Sequence, residues 1–164
     1  MMKDRFDEIG GENTDVLLKR IDEQIKKLGL FTEWDRLINK VRESLFYNNV
    51  LSLFGIEITG VCEPKFEVDL ICVGRKGRQR IVAAVEVKSS FGVRDVKKYI
   101  KQLDQFFEFF INYHGWDLIG VVAGVRWSRQ AIALAEKEGL YILAPSGETM
   151  VALNRKGFKP RIWR

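Results

Sequence analysis

Apolar positions follow a helical period through the first third of the chain and a strand period after it. Val16, Leu17, Ile21, Ile25 and Leu28 recur at three- and four-residue spacing among charged neighbours, which predicts an amphipathic helix from about Asp15. Gly10 and Gly11 interrupt the segment before it, Thr14 is placed to cap it and Gly29 to end it. Trp34, Leu37, Ile38, Val41, Leu45 and Phe46 predict a second helix from Thr32 to Leu53, with Thr32 and Asp35 as a capping-box variant. After Gly55 the apolar positions alternate, at Ile56, Ile58 and Val61, until Pro64 breaks the run. Phe66 to Val73 and Ile81 to Val87 read as two more strands, joined by a basic hairpin turn from Gly74 to Gln79.

Gly92 and Asp95 introduce a helix over about 93–113, and Asp117 to Val125 is a nearly unbroken apolar strand of the kind buried inside a sheet. A helix from Ser128 to Glu138, closed by Gly139, precedes a short strand at Tyr141 to Leu143. A turn at Pro145, Ser146 and Gly147 and an edge strand at Met150 to Leu153 complete the pattern. The predicted fold class is α/β, a mixed β-sheet flanked by helices, with an N-terminal helical extension over 1–31 and one folded unit over 32–164. No internal repeat or low-complexity segment interrupts it.

Composition narrows this picture only slightly. A chain of 164 residues suits a single domain with a real core. A net charge of +5 suits a polyanionic partner, DNA first, with RNA not excluded by charge. Cys62 and Cys72, with His114 as the single histidine, match no zinc spacing, so two reduced thiols are expected. No apolar run has signal-peptide or membrane-spanning character, and the expectation is a soluble cytoplasmic protein with no membrane partner. Phe106, Phe107, Phe109, Phe110 and Trp163 are expected to pack, and His114 to serve a helix end.

Charge inside the apolar strands carries the chemical content. Glu86 and Lys88 lie two residues apart and therefore on one face of their strand. A hairpin centred between Gly77 and Arg78 would set Asp69 directly opposite Glu86, with Cβ atoms roughly 4.5–5.5 Å apart. A turn shifted by one residue would put them on opposite faces, and the sequence leaves both registers open. Two like charges at that range call for a cation. Mg²⁺, or Mn²⁺ in its place, takes oxygen ligands and keeps several waters, so Asp69, Glu86 and the Val87 carbonyl form a candidate metal set. Lys88 would then orient or deprotonate an attacking water. The competing reading is a set of solvated ion pairs, Glu86 with Lys88 and Asp69 with a loop arginine.

Asp69, with Glu86, Val87 and Lys88 following 17 to 19 positions later, resembles the motif of the PD-(D/E)XK nuclease superfamily, which includes Holliday-junction-resolvase-like and restriction-endonuclease-like domains. The order from Thr32 to Val125 is similar to that superfamily's core of helix, three strands, helix and strand. The resemblance implies a restriction-endonuclease-like core, with Asp69 and Glu86 as metal ligands and Lys88 as the catalytic lysine. It implies a further metal-binding glutamate on the preceding helix, where Glu43 is the best match. Gln102 and Phe106 hold the spacing of a Gln-x-x-x-Tyr motif seen in some members, which makes Gln102 a candidate catalytic residue, while Phe106 lacks the tyrosine hydroxyl. Val68 stands where the superfamily has proline. Residues 1–30 and the C-terminal tail fall outside the resemblance.

The function expected on these grounds is metal-dependent hydrolysis of DNA phosphodiesters by an endonuclease. The alternatives are a catalytically inactive nuclease-fold module for DNA binding or assembly, and a purely structural domain. Arg75, Lys76, Arg78 and Arg80, with Lys97, Lys98 and Lys101, are candidate phosphate contacts that would position a polyanion without reading its sequence. Cutting of two strands suits two-fold symmetry, so a homodimer is a further expectation.

Overall fold

The computed structural model describes residues 14–27, 33–64 and 67–164. The interruption at Gly10 and Gly11, the stop at Gly29, the Thr32 cap and the strand start at Phe66 lie outside those residues. The chain divides into two compact units, Met1–Asn39 and Lys40–Arg164. The division falls within a helix, later in the chain than the boundary expected from sequence.

The first unit contains helix α1 (Thr14–Lys27) and the start of α2 (Glu33–Phe46). Thr14 is the first helical residue, and Ile21 of the expected stripe is exposed. Lys19 places its ammonium 5.0 Å from the Trp34 ring centroid.

The second unit is built on six strands lying side by side in chain order. They are β1 (Glu57–Cys62), β2 (Leu70–Lys76), β3 (Gln79–Phe91), β4 (Asp117–Trp127), β5 (Tyr141–Ser146) and β6 (Thr149–Ala152). The first three form an antiparallel meander, β3, β4 and β5 run parallel, and β6 returns antiparallel. The parallel steps need crossovers, which α3 (Val93–Asp104) and α5 (Arg129–Lys137) supply. The result is a mixed α/β sheet with helices against it, as the hydrophobic pattern predicts. No helix among the described residues is long and apolar enough to cross a membrane.

The two faces of the sheet follow from strand alternation. Ile71, Val82, Ala84, Leu118, Val122 and Ile142 pack with Val96, Tyr99 and Leu103 of α3 and with Ala131 and Ala135 of α5. Leu70, Cys72, Ala83, Val85, Ile119 and Val121, all buried, point to the opposite face. The Lys40–Phe46 part of helix α2 reaches that second face. Its Ser44 Oγ accepts the Met150 N–H of β6 at 2.8 Å, and its Arg42 lies close enough to Cys72 to act on the thiol.

Several expected elements end earlier than the periodicity suggests. Helix α2 stops at Phe46, and a 3-10 turn at Val50–Phe54 follows, bracketed by Asn49 and Gly55 in left-handed conformation. That break lets Leu51 turn fully into the core. Helix α3 stops at Asp104 and is followed by a short α4 (Phe106–Phe109) and a 3-10 turn at Ile111–Tyr113. Four phenylalanines within five positions cannot share one stripe when successive side chains are about 100° apart. Breaking the axis buries Phe106 and stacks it on Phe110 at 4.6 Å, while Phe109 stays exposed. Strand β2 begins at Leu70 because Glu67, with φ of 73°, interrupts extended backbone before it. Trp163 is buried on the domain, exchanging backbone hydrogen bonds with Leu118, and its indole donates to Asp104 at 2.9 Å.

Candidate active site

The site begins with a turn. β2 and β3 pair without interruption from Lys76–Gln79 to Leu70–Val85, so the connection is the two-residue loop of Gly77 and Arg78. Gly77 has φ of 60°, the left-handed conformation that tight hairpins demand and glycine supplies without strain. The expected six-residue loop is therefore mostly strand, and of the two registers left open the centred one is adopted.

That register carries forward to the carboxylates. The Asp69 N–H donates to the Val85 carbonyl at 3.1 Å, so the next residue pair across the strands is Asp69 and Glu86. The Asp69 carboxylate turns toward β3, where its Oδ2 accepts the Val87 N–H at 2.8 Å. This bond is charge-assisted and fixes the rotamer of a side chain that is only 8% exposed. β2 has ended beside Val87. Its carbonyl points to the same side as its N–H, toward Asp69, because the two groups of one strand residue project together.

Glu86 is half-buried and Lys88 buried, on the face that α3 covers. The Lys88 ammonium lies 3.6 Å from Asp95 Oδ1 on the first turn of α3. The second oxygen of Asp95 accepts the Gly92 N–H at 2.8 Å, the half of a capping box that a glycine N-cap allows. One carboxylate thus serves two purposes, ending the strand-to-helix loop and holding the lysine. One turn later Tyr99 is fully buried and donates its hydroxyl to the Ala84 carbonyl. Burial pushes the Tyr99 phenol well above its ordinary range, and the charges of Glu86 and then Asp69 push it further. Both carboxylates thus lie near this one buried group.

The structure sets Asp69, Glu86 and Lys88 on one face of the sheet, with Val87 hydrogen-bonded to Asp69, and adds Asp95 and Tyr99, which the sequence reading missed. Gly92 and Asp95 were legible as a helix start, but not that the capping carboxylate also reaches Lys88. Tyr99, between Val96 and Leu103 in the helical stripe, was legible as a core residue with a polar tip. Glu43 is exposed on α2, against the other face of the sheet. Among the described residues no three His, Cys, Asp or Glu side chains are grouped so that they could hold a metal ion, so Glu43 does not join Asp69 and Glu86 as a third ligand. Gln102 is half-buried on α3, seven residues and roughly 10 Å of helix beyond Asp95.

The basic residues divide by place. Arg75 pairs with Arg80 in the ladder, and Arg80 is eight strand residues from Lys88, about 26 Å away. Arg75 Nε also lies 3.8 Å from Glu57, and the Arg80 guanidinium lies 5.0 Å from the Trp116 ring centroid. Arg75, Lys76 and Arg78 therefore stand at the hairpin end of the sheet, and only Lys97, Lys98 and Lys101, exposed on α3, belong to the helix that faces the carboxylates. A cleft of about 440 Å³ at that hairpin end is lined by Phe107, His114, Trp116 and the Asp117–Arg164 ion pair. His114 is held there by the Phe107 carbonyl at 2.9 Å. Cys62 and Cys72 are free thiols, exposed and buried respectively.

No protein-family model matches the chain, and no curated protein does. Three solved structures are similar to it, each at 19% identity. One is a repair endonuclease from Pyrococcus abyssi, covering 60% of this chain with a TM-score of 0.39. The others are EndoMS in complex with double-stranded DNA and EndoMS in its apo form, covering 68% and 71% with a TM-score of 0.42. The chain spans just under half the length of these proteins, from 45% to 48%.

Proposed function

We propose that the unit Lys40–Arg164 is a metal-dependent phosphodiesterase that hydrolyses DNA, an endonuclease on a restriction-endonuclease-like core of the PD-(D/E)XK type. The observation that supports this reading best is the hairpin register, which sets Asp69 across from Glu86 with Lys88 on the same face. Two carboxylates on one face, both near the buried Tyr99, offer the oxygen ligands that a hard divalent cation takes. Asp69 and Glu86, with the Val87 carbonyl, would hold Mg²⁺ or Mn²⁺. When bound, such an ion polarises a phosphate oxygen and lowers the pKa of coordinated water.

The chain's own residues do the rest. Asp69 is pre-aimed by the Val87 N–H and so loses little freedom on binding. Lys88, steadied by Asp95, presents N–H donors that orient the attacking water and offset charge developing on the phosphate oxygens. A second reading, a nuclease-fold module that holds DNA without turnover, is favoured by one observation, the engagement of the Lys88 ammonium by Asp95.

Nicking of supercoiled plasmid with Mg²⁺, with Mn²⁺ and with chelator tests the proposal. The unaltered protein should cut only with metal. Asp69→Asn and Glu86→Ala should fall to background with far-UV circular dichroism unchanged. Full Mg²⁺-dependent cutting by Glu86→Ala would overturn the assignment. Salt-sensitive DNA retention with no metal-dependent cutting by the unaltered protein would select the second reading.

A further inference from the structure

Arginines over most of this surface are neutralised by carboxylates. Arg36, Arg42, Arg75, Arg155, Arg161 and Arg164 each lie within 4.0 Å of an Asp or Glu oxygen. Arg78, Arg80, Arg94, Arg126 and Arg129 are exposed and, among the described residues, have no carboxylate within ion-pair reach; Arg78 and Arg80 stand at the hairpin turn, Arg80 against Trp116. The other three stand together at the C-terminal ends of β3 and β4. Arg126 pairs with Ser90, two residues or about 6.6 Å along β3 from Lys88. Arg94 immediately precedes Asp95, the partner of Lys88. Arg129 opens α5 behind the Ser128 cap, and the Ser128 N–H donates to the Phe91 carbonyl at 3.3 Å.

The backbone under these arginines is braced. Phe91 and Trp127 stack with centroids 4.4 Å apart and ring planes 11° from parallel. The Trp127 indole donates to the Gly124 carbonyl at 3.1 Å. From Val121 to Ala135 the chain carries no Asp or Glu, so nothing local competes for Arg126 or Arg129. On α3, Arg94 is followed at helical spacing by Lys97, Lys98 and Lys101, which extends the positive charge along the helix.

We infer that Arg94, Arg126 and Arg129 form a phosphate-contact surface that holds the DNA backbone as it runs past the carboxylate pair. The identity of the polyanion rests on the proposed function, whereas the surface itself rests on the clustering of these three arginines with no carboxylate within ion-pair reach. Three guanidinium groups on rigid strand and helix ends suit phosphates, which Arg binds bidentately, and they read no bases. The hairpin arginines, about 26 Å from Lys88 along β3, are the internal contrast.

The test measures binding of the full chain to a fluorescent 20-base-pair duplex, in chelator, over a series of NaCl concentrations. Removing one phosphate contact should lower the slope of log affinity against log salt by about 0.9. The variant R94Q/R126Q/R129Q should reduce that slope by about 2–3 and bind at least tenfold more weakly at roughly 0.1 M salt. The single variant Arg78→Gln should leave the slope unchanged. Hydrolysis of bis(p-nitrophenyl) phosphate with Mn²⁺ is followed in parallel, because this small diester lacks the flanking phosphates that the arginines would hold. Equal turnover of it by the unaltered and triple-variant proteins, with the slope reduced, supports the surface. An unchanged slope in the triple variant overturns it, even if cutting of DNA persists. A reduced slope in a protein that hydrolyses neither diester overturns the phosphodiesterase reading and leaves the surface standing.

Discussion

Asp95 shows how much one side chain can carry. Its two oxygens separate two effects that substitution can resolve. Asparagine keeps an acceptor for the Gly92 N–H and removes the charge beside Lys88, whereas alanine removes both. Asp95→Asn should retain its melting temperature within a few degrees and, on the proposed function, lose about 10- to 100-fold in the rate of DNA cutting at unchanged DNA affinity. Asp95→Ala should show the same kinetic loss and a further drop of about 1 kcal/mol in stability from the missing cap. Equal rates in Asp95→Asn and the unaltered protein would remove Asp95 from the positioning of Lys88.

At the scale of elements, the approach of β1 to β2 gives a sharp expectation. The pairing shifts between Ile58 and Gly60, and this irregularity presses β1 onto Gly74. A Cβ at Gly74 would lie 2.1 Å from the Glu57 carbonyl oxygen, a backbone atom that cannot swing aside. Gly74→Ala should therefore cost about 1–3 kcal/mol, or a fall of roughly 3–10 °C in melting temperature. An unchanged thermal scan would mean that β1 relaxes freely.

The same elements show what could be read from the sequence. Strands and crossover helices were legible because each has one buried face and hence one period. The long helix expected over 93–113 was not, since Phe106, Phe107, Phe109 and Phe110 satisfy a helical pattern locally while no helix could bury them all. Asp69, Glu86 and Lys88 were legible as charges on a strand face. Their meeting depended on whether Gly77 and Arg78 alone form the turn, which composition does not determine. The arginines at the ends of β3 and β4 escaped notice because Arg94 lies far from Arg126 and Arg129 in the chain and joins them only through parallel pairing.

For the molecule as a whole, burial sets an alkaline limit. Burial pushes the Cys72 thiol from 9.0 up to about 12, with Cys62 adding to the rise and Arg42 opposing it. Burial also raises Tyr99 and Tyr141. Groups raised in the folded state favour folding fully below their unfolded values and lose that contribution as pH climbs toward the folded ones. The urea midpoint should fall steadily from about pH 9 toward 12, with Cys72 contributing on the order of 3–4 kcal/mol at the upper end. Cys72→Ala should flatten that decline. A midpoint constant from about pH 8 to 11 would contradict the buried thiol.

The two-residue turn at Gly77 and Arg78 has a consequence for how this chain tolerates change. The geometry of Asp69 and Glu86 is specified about 26 Å away, by the length of a loop that touches neither. A codon inserted or deleted there would rotate every side chain of one strand through the sheet and scatter the carboxylates without altering any of them. Among natural descendants of such a protein, variation in loop length should be rare after β2, and inheritance would guard the interval between the two strands as strictly as the charges themselves.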